Sequence, residues 1–223
     1  MHRIGRLHLI TDRLDVMAAA LDGGVDTVQV RVADGWTDRQ AYALAGAAVA
    51  LCRRYGVPCL VNDRLHVAVA VGADGGHVGA DDLPVSAARR VLGPHAVLGA
   101  TARDPATARC AVADGADYLG VGPAYPTSTK DGLPTPIGPA GVAAVAAAVD
   151  VPVIAIGGVT AVRVAELRAA GAYGVAVVGA IGAAADPAAA AAELRRALSG
   201  PAGGGADPAA TVAGPRGGAG AGR

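Results

Sequence analysis

Short apolar runs recur along the chain at intervals of roughly 25 residues, each followed by a stretch with helical spacing, from Leu7 to about residue 198. The runs are Leu7–Thr11, Thr27–Arg31, Pro58–Asn62, Gly75–Gly79, Val97–Thr101, Tyr118–Gly122, Val153–Gly157 and Gly174–Val178. They are rich in Val and Ile, and the central ones are almost continuously apolar, the pattern of parallel strands buried on both faces. Between them the spacing predicts helices such as Asp38–Tyr55, where Leu44 and Leu51 fall on one face. Asp104-Pro105 and Asp186-Pro187 each supply an N-cap followed by proline in the first turn. Asp22-Gly23-Gly24, Asp114-Gly115-Ala116 and Ala170-Gly171-Ala172 recur where a helix gives way to a strand, a repeated junction closed by glycine. Eight strands alternating with helices predict a (β/α)8 TIM barrel, with a doubly wound open sheet as the alternative. The catalytic domain is expected over 1–198. Residues 199–223 are Gly, Ala and Pro with almost no large apolar side chain, a composition expected to stay disordered.

Composition narrows this picture. Hydrophobic residues make up 52% of the 223-residue chain but aromatics only 3%, so Ala, Val, Leu and Ile must build the core. A net charge of zero gives no argument for nucleic acid or an anionic membrane surface. The longest weakly polar stretch, 141–159, is broken by Asp150, Pro152 and Gly157-Gly158, short of the roughly 20 apolar residues that a bilayer span needs. Residues 1–11 lack the features of a signal peptide. Cys52, Cys59 and Cys110 are odd in number and lack metal-ligand spacing, so they read as small core residues in a reducing, cytoplasmic setting. The oligomeric state is left open, a homo-oligomer included.

Lysine and asparagine each occur once. Of the 19 Lys and Arg residues only Lys130 is lysine, and Asn62 is the sole asparagine. A type that survives once under a bias toward its substitutes marks a place where the substitute fails. Lysine is a compact charge on a flexible stem, which the planar arginine fork does not reproduce in a tight phosphate cradle.

In a barrel, strand ends face the catalytic rim. Those positions hold Gln29, Arg31, Asn62, Asp63, the His77–Asp82 segment, Thr101, then Thr127, Ser128, Thr129 and Lys130, then Gly157-Gly158 and Val178-Gly179-Ala180. The set suits the binding of phosphate and Mg²⁺. Asp63 and Asp82 are carboxylates on adjacent rim loops, and Mg²⁺ takes a few hard oxygens and is usually completed by water and substrate phosphates. Asp63 also fits a cap of the helix that follows Arg64, and Asp82 a cap ahead of Pro84; Asp81 reads as solvated. Gln29 and Arg31 point to one side of their strand, either the barrel interior or the polar face of an edge strand. Glycines after the last two strands let backbone N–H groups approach a phosphate. His77 reads as a packing or hydrogen-bonding residue, Trp36 as a loop residue that shields the site or covers a helix, and no general base stands out. Charge neutralisation fits this set better than proton abstraction.

Taken together, these residues resemble the thiamine phosphate synthase family over about Leu7 to Leu198. The family's Gln-x-Arg-x-Lys strand end, Asn-Asp pair, His-x-Gly-Gln-x-Asp segment, Gly-x-Gly-Pro strand leading to Thr-x-Thr-Lys, and Ile-Gly-Gly turn stand here as Gln29 to Ala33, Asn62-Asp63, His77 to Asp82, Gly120 to Lys130, and Ile156-Gly157-Gly158. The resemblance implies a transferase that joins hydroxymethylpyrimidine diphosphate to thiazole phosphate and releases pyrophosphate. It implies Mg²⁺ at Asp63 and Asp82, and diphosphate held by Gln29, Arg31, Asn62 and Lys130. Thr127, Thr129, Gly158, Val178 and Gly179 would hold the thiazole phosphate, and Ser128 is expected among the substrate-binding residues. Thr101 takes a place usually given to serine, and with Arg31 and Lys130 it makes the expected catalytic set. Two positions depart from the pattern: Ala33 replaces the family lysine and Ala80 its glutamine. One lost charged phosphate contact is worth roughly 1.5–3 kcal/mol. The rival readings are a thiazole tautomerase, a family with histidine where this chain has Pro123, and a non-catalytic phosphate-binding barrel.

Overall fold

The computed structural model describes residues 4–127 and 134–200. The expected calls on Ser128, Thr129, Lys130 and residues 201–223, including disorder of the tail, lie outside the described residues.

Eight strands pair in parallel and in sequence order to close a barrel: β1 (Leu7–Thr11), β2 (Thr27–Val30), β3 (Cys59–Asn62), β4 (Gly75–Val78), β5 (Val97–Ala102), β6 (Tyr118–Val121), β7 (Val153–Ile156) and β8 (Gly174–Val177). β8 returns to β1 through Leu7–Val175 and Leu9–Val177, so the open-sheet alternative is excluded. The helices α1 (Leu14–Asp22), α2 (Asp38–Tyr55), α3 (Leu65–Val71), α4 (Val85–Leu92), α5 (Pro105–Ala113), α6 (Gly138–Ala146) and α7 (Ala161–Ala169) connect successive strands. A short α8 (Gly179–Gly182) and then α9 (Pro187–Ser199) follow β8.

Local chemistry sets the helix ends. Thr37 and Gln40 form a reciprocal capping box at α2, and Asp104 and Asp186 accept backbone N–H groups at the starts of α5 and α9, each with proline in the first turn. The recurrent junction glycines Gly24, Gly115 and Gly171 have φ of 94°, 104° and 86°, a region that only glycine enters without strain.

The period-two alternation of each strand divides the core in two. Leu9, Val28, Val30, Val61, Val78, Leu98, Leu119, Ala155 and Val175 face outward and pack on the helices. Ile10, Leu60, Val97, Tyr118, Ile154 and Ala176 fill the lumen. Cys52 and Cys59 belong to the outer layer as expected, but Cys110 is exposed on α5 and is no core residue. The amphipathic pattern of α5 places its buried positions at Ala108 and Ala111, on either side of Cys110.

Three aspartates that precede alternate strands close the N-terminal end. Asp26, Asp74 and Asp117 accept the backbone N–H groups of Leu7, Cys59 and Leu98 at 2.7, 2.8 and 2.8 Å. Asp26 is further paired with Arg195 and Asp117 with Arg89, the latter at 2.6 Å. These carboxylates hold strands in place, at the end opposite the rim that carries Asp63 and Asp82.

Candidate functional site at the barrel rim

Gln29 is buried within β2 and Arg31 follows it half-buried, its N–H donating to Thr11 O at 3.2 Å. Both lie on the lumen side, so the edge-strand alternative falls: β2 is flanked by β1 and β3. Asn62 ends β3, half-buried, in register with His77 on β4. Thr101 sits near the end of β5, and Thr127 lies past β6 at the edge of the described residues; both are half-buried. Gly158 follows β7, and Val178 and Gly179 lead from β8 into α8. Each expected site residue within the described residues therefore stands at the C-terminal end of its strand, and they ring one mouth.

Asp63 and Asp82 are exposed on adjacent loops of that mouth. Neither is the N-cap residue of a helix: the N-cap of α3 is Arg64 and that of α4 is Pro84, and the side chain of neither accepts a capping bond. Asp82 instead accepts Gly79 N at 2.7 Å and closes its own loop. Asp63 has φ 59°, the only non-glycine residue with positive φ among the described residues. It is pinned there by its N–H to His77 O at 2.9 Å and by Leu65 N to its own carbonyl at 2.9 Å. Non-glycine residues held in this region cluster at functional sites. Arg64, beside it, reaches back to Trp36 O at 2.6 Å and Asp38 at 2.8 Å, which ties the loop after β2 to the loop after β3. Trp36 is thereby fixed through its backbone beside the mouth.

Among the described residues, no three His, Cys, Asp or Glu side chains converge as a metal cluster. The donors that Asp63 and Asp82 provide are hard carboxylate oxygens, two in number, and Mg²⁺ bound with several waters and substrate phosphates needs no more. The residues present fit that ion. Ala33 and Ala80 are exposed, so neither offers a charge or an amide to the mouth; Arg39, in the first turn of α2, is exposed as well.

The loops after β6 and β7 are locked together. Gly157 and Gly158 have φ of 91° and 63°, and a Cβ on Gly157 would come within 2.6 Å of Pro123. Tyr125 N donates to Gly157 O at 3.0 Å, and Arg163 of α7 donates to Gly158 O at 2.5 Å. The Arg163 guanidinium lies 4.3 Å from the Tyr125 ring centroid, and the Tyr125 hydroxyl donates to Glu166 at 2.5 Å. Burial, and then the Glu166 carboxylate, push the Tyr125 phenol up to about 12. Arg103, two residues past Thr101, donates to Gly122 O at 3.3 Å and to Thr135 O at 2.6 Å. Both diglycine carbonyls are thus taken by protein, and the short helix α8 follows β8, the strand paired with β7.

Below the mouth the lumen carries polar side chains. His77 Nδ1 lies 3.1 Å from the Tyr118 hydroxyl and Nε2 lies 3.0 Å from Thr101 Oγ1. His8 packs edge-on against Tyr118, 5.5 Å between centroids, with Nε2 3.0 Å from Gly5 O. Burial lowers the pKa of both histidines to about 4, so both rings are neutral at pH 7. Burial also raises the Tyr118 phenol, which keeps its proton. His77 is a hydrogen-bonding residue as expected and is no base at neutral pH. Tyr118, Arg163, Tyr125, Glu166 and Arg103 went unnoticed in the sequence. The one available signal was Tyr118, a large polar residue opening a strand whose central place demands burial.

Residues 6–181 match the family described as thiamine monophosphate synthase. A thiamine-phosphate synthase of Salinispora arenicola is 66% identical over 207 residues, which cover 89% of this chain and all of that protein. A thiamine-phosphate synthase of Haloquadratum walsbyi is 49% identical over 183 residues, 81% of this chain and 82% of that protein. Among solved structures, the thiamine phosphate pyrophosphorylase of Pyrococcus furiosus superposes with a TM-score of 0.80 at 33% identity, over 87% of this chain and 95% of that one.

Proposed function

The chain belongs to the thiamine monophosphate synthase family, and from that premise we propose how its rim carries out the reaction. The enzyme is a thiamine-phosphate synthase. It condenses 4-amino-5-hydroxymethyl-2-methylpyrimidine diphosphate with thiazole phosphate to give thiamine monophosphate and pyrophosphate. The bond between the pyrimidine methylene carbon and the diphosphate oxygen breaks, and the thiazole nitrogen forms a new bond to that carbon.

The diphosphate lies over β2 and β3, where Arg31 and Asn62 supply donors and Gln29 closes the floor. Asp63 and Asp82 would hold Mg²⁺. When bound, this ion neutralises charge on the diphosphate, a contribution that grows as the leaving group departs. Arg31, and Lys130 outside the described residues, add fixed positive charge on the same leaving group. Such groups act most strongly where charge develops, in the transition state. A resonance-stabilised pyrimidinyl-methyl cation needs no protein base, in keeping with a lumen whose histidines are neutral and buried. The thiazole phosphate lies across the mouth against the locked diglycine turn, with Gly158, Val178 and Gly179 on one side and Thr127 on the other; Ser128 and Thr129, outside the described residues, belong to the same set by resemblance.

The observation that carries this reading is the division of labour between the barrel ends. The carboxylates at the N-terminal end tie neighbouring strands together through backbone N–H groups. Those at the C-terminal end sit exposed on rim loops, Asp82 accepting Gly79 N within its own loop and Asp63 in a left-handed conformation. The tautomerase rival places histidine at position 123, and Pro123 is buried and offers no acid or base there. Release of pyrophosphate is the test. The purified chain should release it only with both substrates and Mg²⁺ present, with thiamine monophosphate appearing in equal amount. Release without product, or isomerisation of the thiazole alone, would overturn the reading.

A further inference from the structure

Three polar side chains from three strands meet under the mouth. The Tyr118 hydroxyl of β6 lies 3.1 Å from His77 Nδ1 of β4, and His77 Nε2 lies 3.0 Å from Thr101 Oγ1 of β5. Tyr118 and His77 are buried, and Thr101 is half-buried at the mouth.

The register shows how the barrel makes room for this chain. His77 pairs with Gly99 and Gly99 with Tyr118, so the three share one level of the lumen. Glycine between two rings is what lets them touch: a Cβ on Gly99 would collide with the Tyr118 ring. Gly120, paired with Thr101 on the next level up, leaves the same kind of space, since its Cβ would lie 3.1 Å from His77 Cε1. Glycine within a strand commonly marks a place where another group must approach closely. Two strands give up a side chain to admit these rings.

A neutral imidazole donates at one nitrogen and accepts at the other. The polarity of the whole relay is then set at the buried Tyr118 end. When the Tyr118 hydroxyl donates, its proton goes to His77 Nδ1. Nε2–H then donates to Thr101 Oγ1, and the threonine proton remains free for a ligand in the mouth. Under the opposite polarity Thr101 gives its proton to Nε2 and can only accept. The first arrangement is favoured because it gives the buried phenolic proton its acceptor in His77 Nδ1, whereas the second leaves that proton unmet.

We propose that Tyr118 and His77 are positioning residues that hold the Thr101 hydroxyl as a hydrogen-bond donor to the pyrimidine substrate. This rests on the reading of Thr101 as a substrate contact. Neither residue touches substrate; both act through Thr101. The relay also accounts for a buried tyrosine and histidine whose polar atoms meet one another rather than water.

The test is a double-mutant cycle on the full chain, read as kcat/KM for the pyrimidine diphosphate at saturating thiazole phosphate. Tyr118→Phe keeps the ring that fills the space at Gly99 and removes only the hydroxyl. It should lower kcat/KM roughly tenfold, the size of one lost neutral hydrogen bond, with the KM for thiazole phosphate unchanged. In a Thr101→Ala background the same change should cost less than about twofold, since residues acting through one another are non-additive. Equal losses in the two backgrounds, or no loss from Tyr118→Phe, would overturn the relay. If Tyr118→Phe does not fold, His77→Gln and His77→Leu decide. A glutamine amide can offer Thr101 the same N–H and should retain most activity, whereas leucine should not; equal activities would overturn the relay. A fully active Thr101→Ala would remove the substrate contact itself and the relay with it. A wild-type chain that forms no thiamine monophosphate would instead refute the assigned reaction.

Discussion

Asp63 allows backbone and metal contributions to be separated at one position. Its φ of 59° lies in the left-handed region, which costs an L-residue about 1–2 kcal/mol and aspartate somewhat less. Asp63→Ala and Asp63→Gly remove the same carboxylate, so whatever bonds that group makes are lost equally from both. They differ in the backbone. Alanine has the full cost of the conformation, whereas glycine escapes it but loses roughly 0.5–1 kcal/mol more in unfolded-chain entropy. The glycine variant should therefore be the more stable of the two by about 1 kcal/mol, or roughly 2–4 °C in melting temperature for a domain of this size. Both should lose Mg²⁺-dependent pyrophosphate release by about 10²–10³-fold, the usual cost of one preorganised charge-stabilising group. The assays are a thermal melt and a turnover measurement across a Mg²⁺ titration. Alanine melting at or above glycine would refute strain at this residue. Turnover near wild type in either variant would refute the metal role, whatever the melts show.

Asp82→Asn keeps an acceptor for Gly79 N, which it meets at 2.7 Å, and so should hold its loop while shifting the Mg²⁺ dependence of turnover to much higher concentration; an unshifted titration curve would count against Asp82 as a ligand. Lys130→Arg should lower kcat and not only raise KM, because the guanidinium is larger and planar and the charge acts mainly in the transition state; near wild-type turnover would reduce Lys130 to an ordinary phosphate contact. His8, with a pKa lowered by burial to about 4, is neutral in the fold and takes up a proton on unfolding below its ordinary value near 6.5. Its contribution to stability is complete above pH 6.5 and is lost as pH falls toward 4, by no more than about 3 kcal/mol. Melts of wild type and His8→Gln between pH 7 and 4 should diverge in slope over that window, and parallel curves would refute the assignment.

The fold was legible because each of its signals is local. Strand ends fell within a residue of those read from apolar runs, α2 spans Asp38–Tyr55 as its spacing required, and Asp104 and Asp186 cap as their Asp-Pro pairs implied. The rim followed from the fold, since a barrel delivers every strand end to one mouth, and that placed Arg31, Asn62, Thr101 and Gly158 without any knowledge of contacts. A linear pattern also cannot tell which residue ahead of a helix is its N-cap. Asp63 and Asp82 both precede helices, and only the backbone geometry assigns the N-cap positions to Arg64 and Pro84.

What stayed hidden depends on closure. Period-two alternation says that His77 and Tyr118 face inward, but not that they meet: they are 41 residues apart, and a strand stands between them. Their contact exists because the register puts Gly99 at their level, and one residue of slip would replace that glycine with Leu98 or Ala100. Slip by one also turns every side chain of a strand to the opposite face, so the apolar pattern that fixes the core fixes the polar relay as well. The Arg163–Tyr125–Glu166 lock has the same character, joining α7 to the loop after β6 across 38 and 41 residues of sequence. In this barrel the residues that would meet substrate are readable one strand at a time. Those that hold them in place arise between strands, so their recognition requires the closed register and not the sequence pattern alone.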